Sequence, residues 1–175
     1  VTFDAMTSTY KDNTTKLAEL VGEEDQAKEW IKEWDQKLKD DKKDLEPLIK
    51  GKTATVLQQT PKGLMAFSDE LGRGTEILYS GWGLKQPKDL KKATEKTNAI
   101  TITPEEFDKY LGDFVVIAAN GNQKAPFEDT NVWANTEAKK NNHVVKFDVT
   151  ETQYNDPISL EKQREIFLKA FKEMK

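Results

Sequence analysis

At 175 residues, with 27 basic and 31 acidic side chains and a net charge of −4, the chain has the size of one domain, or of one domain and a connecting element. No basic stripe stands apart from acidic neighbours, which argues against nucleic acid as a partner. The chain has no cysteine, which removes a disulfide framework, a thiolate metal site and a cysteine nucleophile. No apolar run approaches the roughly 20 residues of a membrane span.

The first five residues, Val-Thr-Phe-Asp-Ala, read as a strand already under way, and the chain starts at Val1 without a methionine. That start implies a processed or truncated product from which a targeting segment has been removed. A helix is expected over residues 12–21, with Leu17, Leu20 and Val21 on one face and Gly22 ending it. Glu23, Glu24 and Asp25 open a second helix, where first-turn acids suit the dipole. Its apolar positions are Ala27, Trp30, Ile31, Trp34, Leu38 and Leu45, at helical spacing. Residues 39–44 are all charged, and Pro47 is expected to end or kink the helix at Glu46. From 23 to 46 it spans roughly 36 Å. A helix apolar at both ends and charged in the middle fits two readings, a bridge between two bodies or an ordinary amphipathic helix with a solvated patch.

After Gly51 the pattern changes to strands. Residues 53–59 and 64–67 read as a hairpin around Pro61-Lys62-Gly63. A helix is expected over 74–80 and a strand over 99–102. Thr103-Pro104-Glu105-Glu106 is a helix start with Thr103 as N-cap and Glu106 as its capping-box partner. A fully buried strand (113–119), a partly helical stretch (131–140), a strand (143–149) and a final amphipathic helix from Pro157 follow. Strands alternating with helices argue a mainly parallel α/β sheet.

In such sheets ligands sit beyond the carboxyl ends of the strands. Three loops are expected there: residues 68–73, residues 120–122 (Asn-Gly-Asn), and residues 150–156 with Gln153 and Tyr154. Glycines on both sides of Arg73 allow a turn that holds it at the mouth of a site, and a guanidinium is a fork of donors for oxygen anions. The competing reading is a structural arginine paired with Glu70 or Glu76.

Other motifs carry little. Gly51-Lys52-Thr53 looks like the end of a phosphate loop, but Glu46 stands where the first glycine is required, and the triplet follows a helix instead of opening one. Ile77 breaks the dinucleotide fingerprint after Gly72-Arg73-Gly74. His143 is the only histidine and reads as a loop-end residue, since a zinc site without cysteine usually needs more than one. There is no Gly-x-Ser-x-Gly elbow, and no carboxylate pair stands out by spacing. Asn13-Thr14-Thr15 is a formal glycosylation sequon. Trp30, Trp34 and Trp82 read as core, and Trp133 as either core or ligand wall.

Read together, several segments carry a resemblance. They are residues 21–30 (VGEEDQAKEW), 72–79 (GRGTEILY), 83–85 (GLK), 128–133 (EDTNVW) and 154–160 (YNDPISL). The chain resembles the ferric-siderophore-binding lipoproteins of Gram-positive ABC importers, most closely the ferric hydroxamate (ferrichrome-type) receptors. The resemblance implies the second α/β lobe of a two-lobed, helix-linked receptor, like a periplasmic binding protein of class III type, with its long linking helix. Residues 1–22 would end the N-terminal lobe, 23–51 form the inter-lobe spine, and 52–175 form the C-terminal lobe. It implies Arg73 on the chelate oxygens, Tyr154 and Phe67 as cleft walls, and Leu71, Gln153 and Trp133 as further ligand-binding positions. Leu71 stands where a close relative has tryptophan. Glu105 matches the acid that docks arginines of the membrane permease, although its place in a helix start also explains an acid there. The implied ligand is an Fe(III)–siderophore complex, with no cofactor, no catalytic residue and no metal site of the protein's own. The implied location is extracytoplasmic, anchored by an N-terminal lipid outside this chain. Rival expectations are haem (with Tyr154 or His143 as axial ligand), cobalamin, a citrate or catecholate siderophore, an α/β enzyme, or a pure interaction domain.

Overall fold

Pro61 and Lys62 leave too little chain for a crossover, so the strands either side of them must pair antiparallel. In the computed structural model, which describes residues 8–69, 71–121 and 123–174, β1 (Ala54–Thr60) and β2 (Gly63–Phe67) form that hairpin. β3 (Ala99–Ile102), β4 (Phe114–Ala119) and β5 (Val144–Asp148) complete a five-stranded sheet of order β3-β2-β1-β4-β5. β3, β2 and β1 pair antiparallel, while β1, β4 and β5 pair parallel. The expected mainly parallel sheet is therefore mixed. The Val1 strand expectation lies outside the described residues.

Helices α1 (Tyr10–Val21) and α2 (Glu24–Ile49) precede the sheet; α3 (Lys88–Thr94) and the single turns α4 (Phe107–Tyr110), α5 (Asn131–Ala134) and α6 (Glu137–Lys140) lie within it in sequence, and α7 (Pro157–Glu173) ends the chain. A π-helix covers Glu76–Gly81. Alternate strand residues point to opposite faces. Ala54, Val56, Phe67, Phe114, Val116, Val145 and Phe147 pack on one face with Trp34, Leu38, Leu45 and Ile49 of α2, Ile77 and Leu78 of the π-helix, and Leu160, Phe167 and Phe171 of α7. Leu57, Leu64, Ala66, Ile102, Val115 and Ile117 pack on the other with Leu90, Phe107, Tyr110, Phe127 and Trp133. β4 lies between β1 and β5 and is buried along its length, as its unbroken apolar run requires.

Two expectations about α2 change. Pro47 does not end it: the helix runs on to Ile49, with Lys50 N–H closing on Glu46 O at 3.1 Å. Proline costs one backbone bond, which burying Ile49 against the sheet offsets. The charged middle is not simply solvated either. Asp41 is buried and takes a bidentate pair from Arg164 of α7, Nε to Oδ2 and Nη2 to Oδ1, both at 2.6 Å, with Trp82 Nε1 at 3.4 Å. Nearer its start, α2 donates Trp34 Nε1–H to the buried Tyr10 hydroxyl of α1 at 2.9 Å. Gly22 caps α1 in the left-handed region, φ 75°, but the expected apolar face faces outward: Leu17, Leu20 and Val21 are 52%, 53% and 71% exposed.

Candidate functional site

Phe67 ends β2, and because β2 runs against β1 its carboxyl end lies toward the amino end of β1. The loop after it therefore starts at the wrong end of the sheet for a shared rim with Tyr154, contrary to the topological expectation. It reaches that rim because it doubles back across the α2/α7 face: Arg73 N–H donates to Gln153 O at 2.9 Å, and Arg73 Nε–H to Gln58 Oε1, near the carboxyl end of β1, at 2.5 Å.

The doubling back depends on three successive left-handed residues, Gly72 (φ 70°), Arg73 (φ 58°) and Gly74 (φ 84°). Both glycines are required. A Cβ on Gly72 would sit 2.4 Å from Gln153 O, and one on Gly74 would sit 1.9 Å from Phe167 Cε2. Arg73 holds a conformation costing about 1–2 kcal/mol for a residue with a Cβ, a local strain typical of binding positions.

The guanidinium is fixed on three sides. Nε–H is held by Gln58, Nη1–H donates to Leu71 O at 2.9 Å, and the plane lies 4.4 Å from the centre of the Phe67 ring. Of its five N–H groups, three have no partner among the described residues. Burial lowers its pKa, against Glu76 and Tyr154, which raise it; it stays a cation. The result is an oriented set of donors with limited freedom to move.

The loop between β5 and α7 is pinned through its carbonyls. Gln163 Nε2 donates to Thr152 O (3.0 Å) and Tyr154 O (2.8 Å), while Arg73 N–H takes Gln153 O. Asp156 caps α7, accepting from Ile158 N–H and Ser159 N–H at 3.0 Å each. On this held backbone Tyr154 is 67% exposed. The ring thus stands in solvent on a loop whose backbone is held by three hydrogen bonds.

Glu76 joins the two loops. Its Oε1 accepts from Gly72 N–H (2.8 Å) and Asn155 Nδ2 (3.1 Å), and Thr75 Oγ1 lies 3.1 Å from Oε2. The sequence suggested Glu76 as an ion-pair partner of Arg73. Instead its carboxylate faces backbone and amide donors, and it sits on a π-helical turn, a form common at functional sites. Gln58, Glu76, Asn155 and Gln163 were not singled out from sequence as site residues; Glu76, on the turn that follows two glycines, carried the one available signal.

The proposed positions separate accordingly. Arg73, Phe67, Leu71, Gln153 and Tyr154 come together. Phe67 is buried and serves as the platform beneath the guanidinium instead of an exposed wall, while Leu71 and Gln153 contribute carbonyls. Trp133 does not join them: it is buried on the opposite face, edge-on to Phe127 at 5.2 Å. Glu105 is exposed in the turn after β3, whose carboxyl end points the same way as that of β1. His143 stacks on Phe114 at 4.4 Å at the amino end of β5, the end remote from Tyr154. No group of three or more His, Cys, Asp or Glu side chains among the described residues could hold a metal ion.

A family model described as periplasmic binding protein matches residues 1–149. The chain is 32% identical to the iron(3+)-hydroxamate-binding protein FhuD of Bacillus subtilis (strain 168) over 167 residues, 91% of this chain and 53% of that protein. It is 29% identical to the iron(3+)-hydroxamate-binding protein YxeB of the same organism over 164 residues, 89% and 51% respectively. Its fold is similar to FhuD2 from Staphylococcus aureus with bound ferrioxamine B, at a TM-score of 0.93 and 32% identity, over 99% of this chain and 68% of that one. The chain spans about half the length of the curated relatives it matches.

Proposed function

The chain belongs to the periplasmic binding protein family, and from that premise we propose that it is the second lobe of a two-lobed receptor that captures a ferric hydroxamate siderophore for an ABC importer. The observation that carries this is the oriented Arg73 fork beside the exposed Tyr154. Iron in such a chelate is already coordinated by hydroxamate oxygens. The protein then needs donors for those oxygens and an apolar surface, and no ligands of its own. Three N–H groups without a partner among the described residues supply the first and the Tyr154 ring the second. The relatives named for iron(3+)-hydroxamate binding, and the relative solved with ferrioxamine B, support the same class of ligand.

In this reading α2 is the spine between lobes, residues 1–22 end the first lobe, and the exposed Leu17, Leu20 and Val21 pack against the rest of that lobe. Glu105, on the rim, docks an arginine of the membrane permease. The receptor works outside the cytoplasm, held to the membrane by a lipid on a segment preceding this chain. It is a binding component and not an enzyme.

Tryptophan-quenching titration of the natural-length protein with ferrichrome, ferrioxamine B, ferric citrate and haem tests the proposal. Saturable quenching by a hydroxamate, weakened at least about tenfold by Arg73→Ala, is the expected result. A folded protein that binds no hydroxamate would refute it. This chain alone should bind weakly, because one wall of the cleft belongs to the other lobe.

A further inference from the structure

Glu76 is fully buried, yet no lysine or arginine is within ion-pair distance of it among the described residues. Its contacts are a backbone N–H, a hydroxyl and the Asn155 amide. A glutamine of the same shape could hold the two loops as well, since its amide oxygen accepts both bonds that Oε1 now takes. Burying a charge without a direct partner is costly, so the clip alone does not explain an acid here. What the charge does is act on Arg73, three residues away in sequence, while leaving three of its N–H groups without a partner among the described residues.

On the functional reading above, we propose that Glu76 is a specificity-determining residue: its negative charge cancels that of Arg73, so the site offers hydrogen-bond donors without net positive charge. Three hydroxamates neutralise one ferric ion, and a chelate of this kind loses nothing by meeting a neutral site. Citrate-type and catecholate chelates retain negative charge and would be drawn to an unbalanced arginine. For any two unit charges roughly 8 Å apart at an effective dielectric of about 20, the interaction corresponds to at least about tenfold in affinity.

The test compares ferrichrome, which is neutral, with ferric citrate, which is anionic, on the natural-length protein and two variants. Glu76→Gln should tighten ferric citrate relative to ferrichrome, moving the selectivity ratio at least about tenfold toward citrate. Asn155→Ala loosens the clip without touching charge, so it should weaken both chelates alike and leave the ratio unchanged. A ratio that stays within threefold in Glu76→Gln, or no measurable citrate binding in either protein, overturns this inference while ferrichrome binding upholds the functional reading. A parent protein that binds neither chelate overturns both. Should Glu76→Gln not fold, Gln153→Glu adds charge at the same rim and must shift the ratio the other way; an unchanged ratio there also overturns it.

Discussion

The two faces of the sheet bury polar groups in different ways. Against α3 and the single-turn helices, the buried polar side chains are threonine hydroxyls that donate to carbonyls: Thr55 to Tyr110 O, Thr94 to Leu90 O, Thr136 to Trp133 O. Against α2, the π-helix and α7, buried hydroxyls such as Thr75 and Thr152 are joined by amides and charges that tie separate segments together: Gln58 to Arg73, Glu76 to Asn155, Gln163 to Tyr154, Asp41 to Arg164. The first face needs only to be filled. The second must hold a strained turn and an exposed loop in register, and directional bonds between segments do that where apolar contact alone cannot.

The sharpest way to break this contrast is Trp133→Ala. If that face is packing alone, the substitution should cost about 3–5 kcal/mol in urea unfolding and leave ferrichrome affinity within twofold at temperatures where the protein stays folded; a binding loss there would return Trp133 to the ligand wall. Gly74→Ala should cost about 2–4 kcal/mol, from the clash with Phe167 and the left-handed backbone together. Gly22→Ala, with a similar φ but open space around it, should cost only about 1 kcal/mol, and equal costs would mean that packing at the turn is irrelevant. Gln163→Leu should cost only about 1 kcal/mol, because the two carbonyls it abandons are offset by removing a buried Oε1 that has no partner among the described residues. It should nevertheless weaken ferrichrome several-fold by freeing Tyr154, and an unchanged affinity would separate loop pinning from binding.

The smallest effect is acid sensitivity at the α7 cap. Burial would raise the Asp156 pKa, but the Ser159 hydroxyl and N–H and the Ile158 N–H outweigh it and hold the carboxyl below the ordinary carboxylate range. A depressed folded pKa means the stabilisation is present above the unfolded value of about 3.9 and is lost as pH falls through the folded pKa. Asp156→Asn should therefore flatten the stability profile below about pH 4, and a slope identical to that of the parent would deny the cap this role.

Much of the fold could be read from local pattern. The run in β4 predicts a strand buried on both faces, and Glu106 accepts from Thr103 N–H at 3.0 Å where the capping box is expected. Gly72-Arg73-Gly74 marks the site because three left-handed residues in a row require glycines. Sheet direction was harder. The connection from Phe67 to Ala99 contains helices and looks like a crossover between parallel strands, yet β3 pairs antiparallel to β2. The roles of aromatics were harder still: Phe67, Trp133 and Tyr154 are a platform, a core residue and an exposed ring, and nothing in their neighbours' identities separates those outcomes.

By itself, then, the amino-acid sequence determined most of the helices and strands, though not α3, together with the glycine turn that carries Arg73 and the family the chain resembles. The elements and the turn depend on periodicity, caps and glycines within a few residues, and the resemblance on motifs spread from residue 21 to residue 160. Only the tertiary structure decided that the arginine turn crosses the sheet to reach Gln58, that Gln153 and Tyr154 meet it there, and that Glu76 joins the two loops. Those contacts link residues far apart in the chain, and their geometry is set by strand direction and by which face each side chain takes.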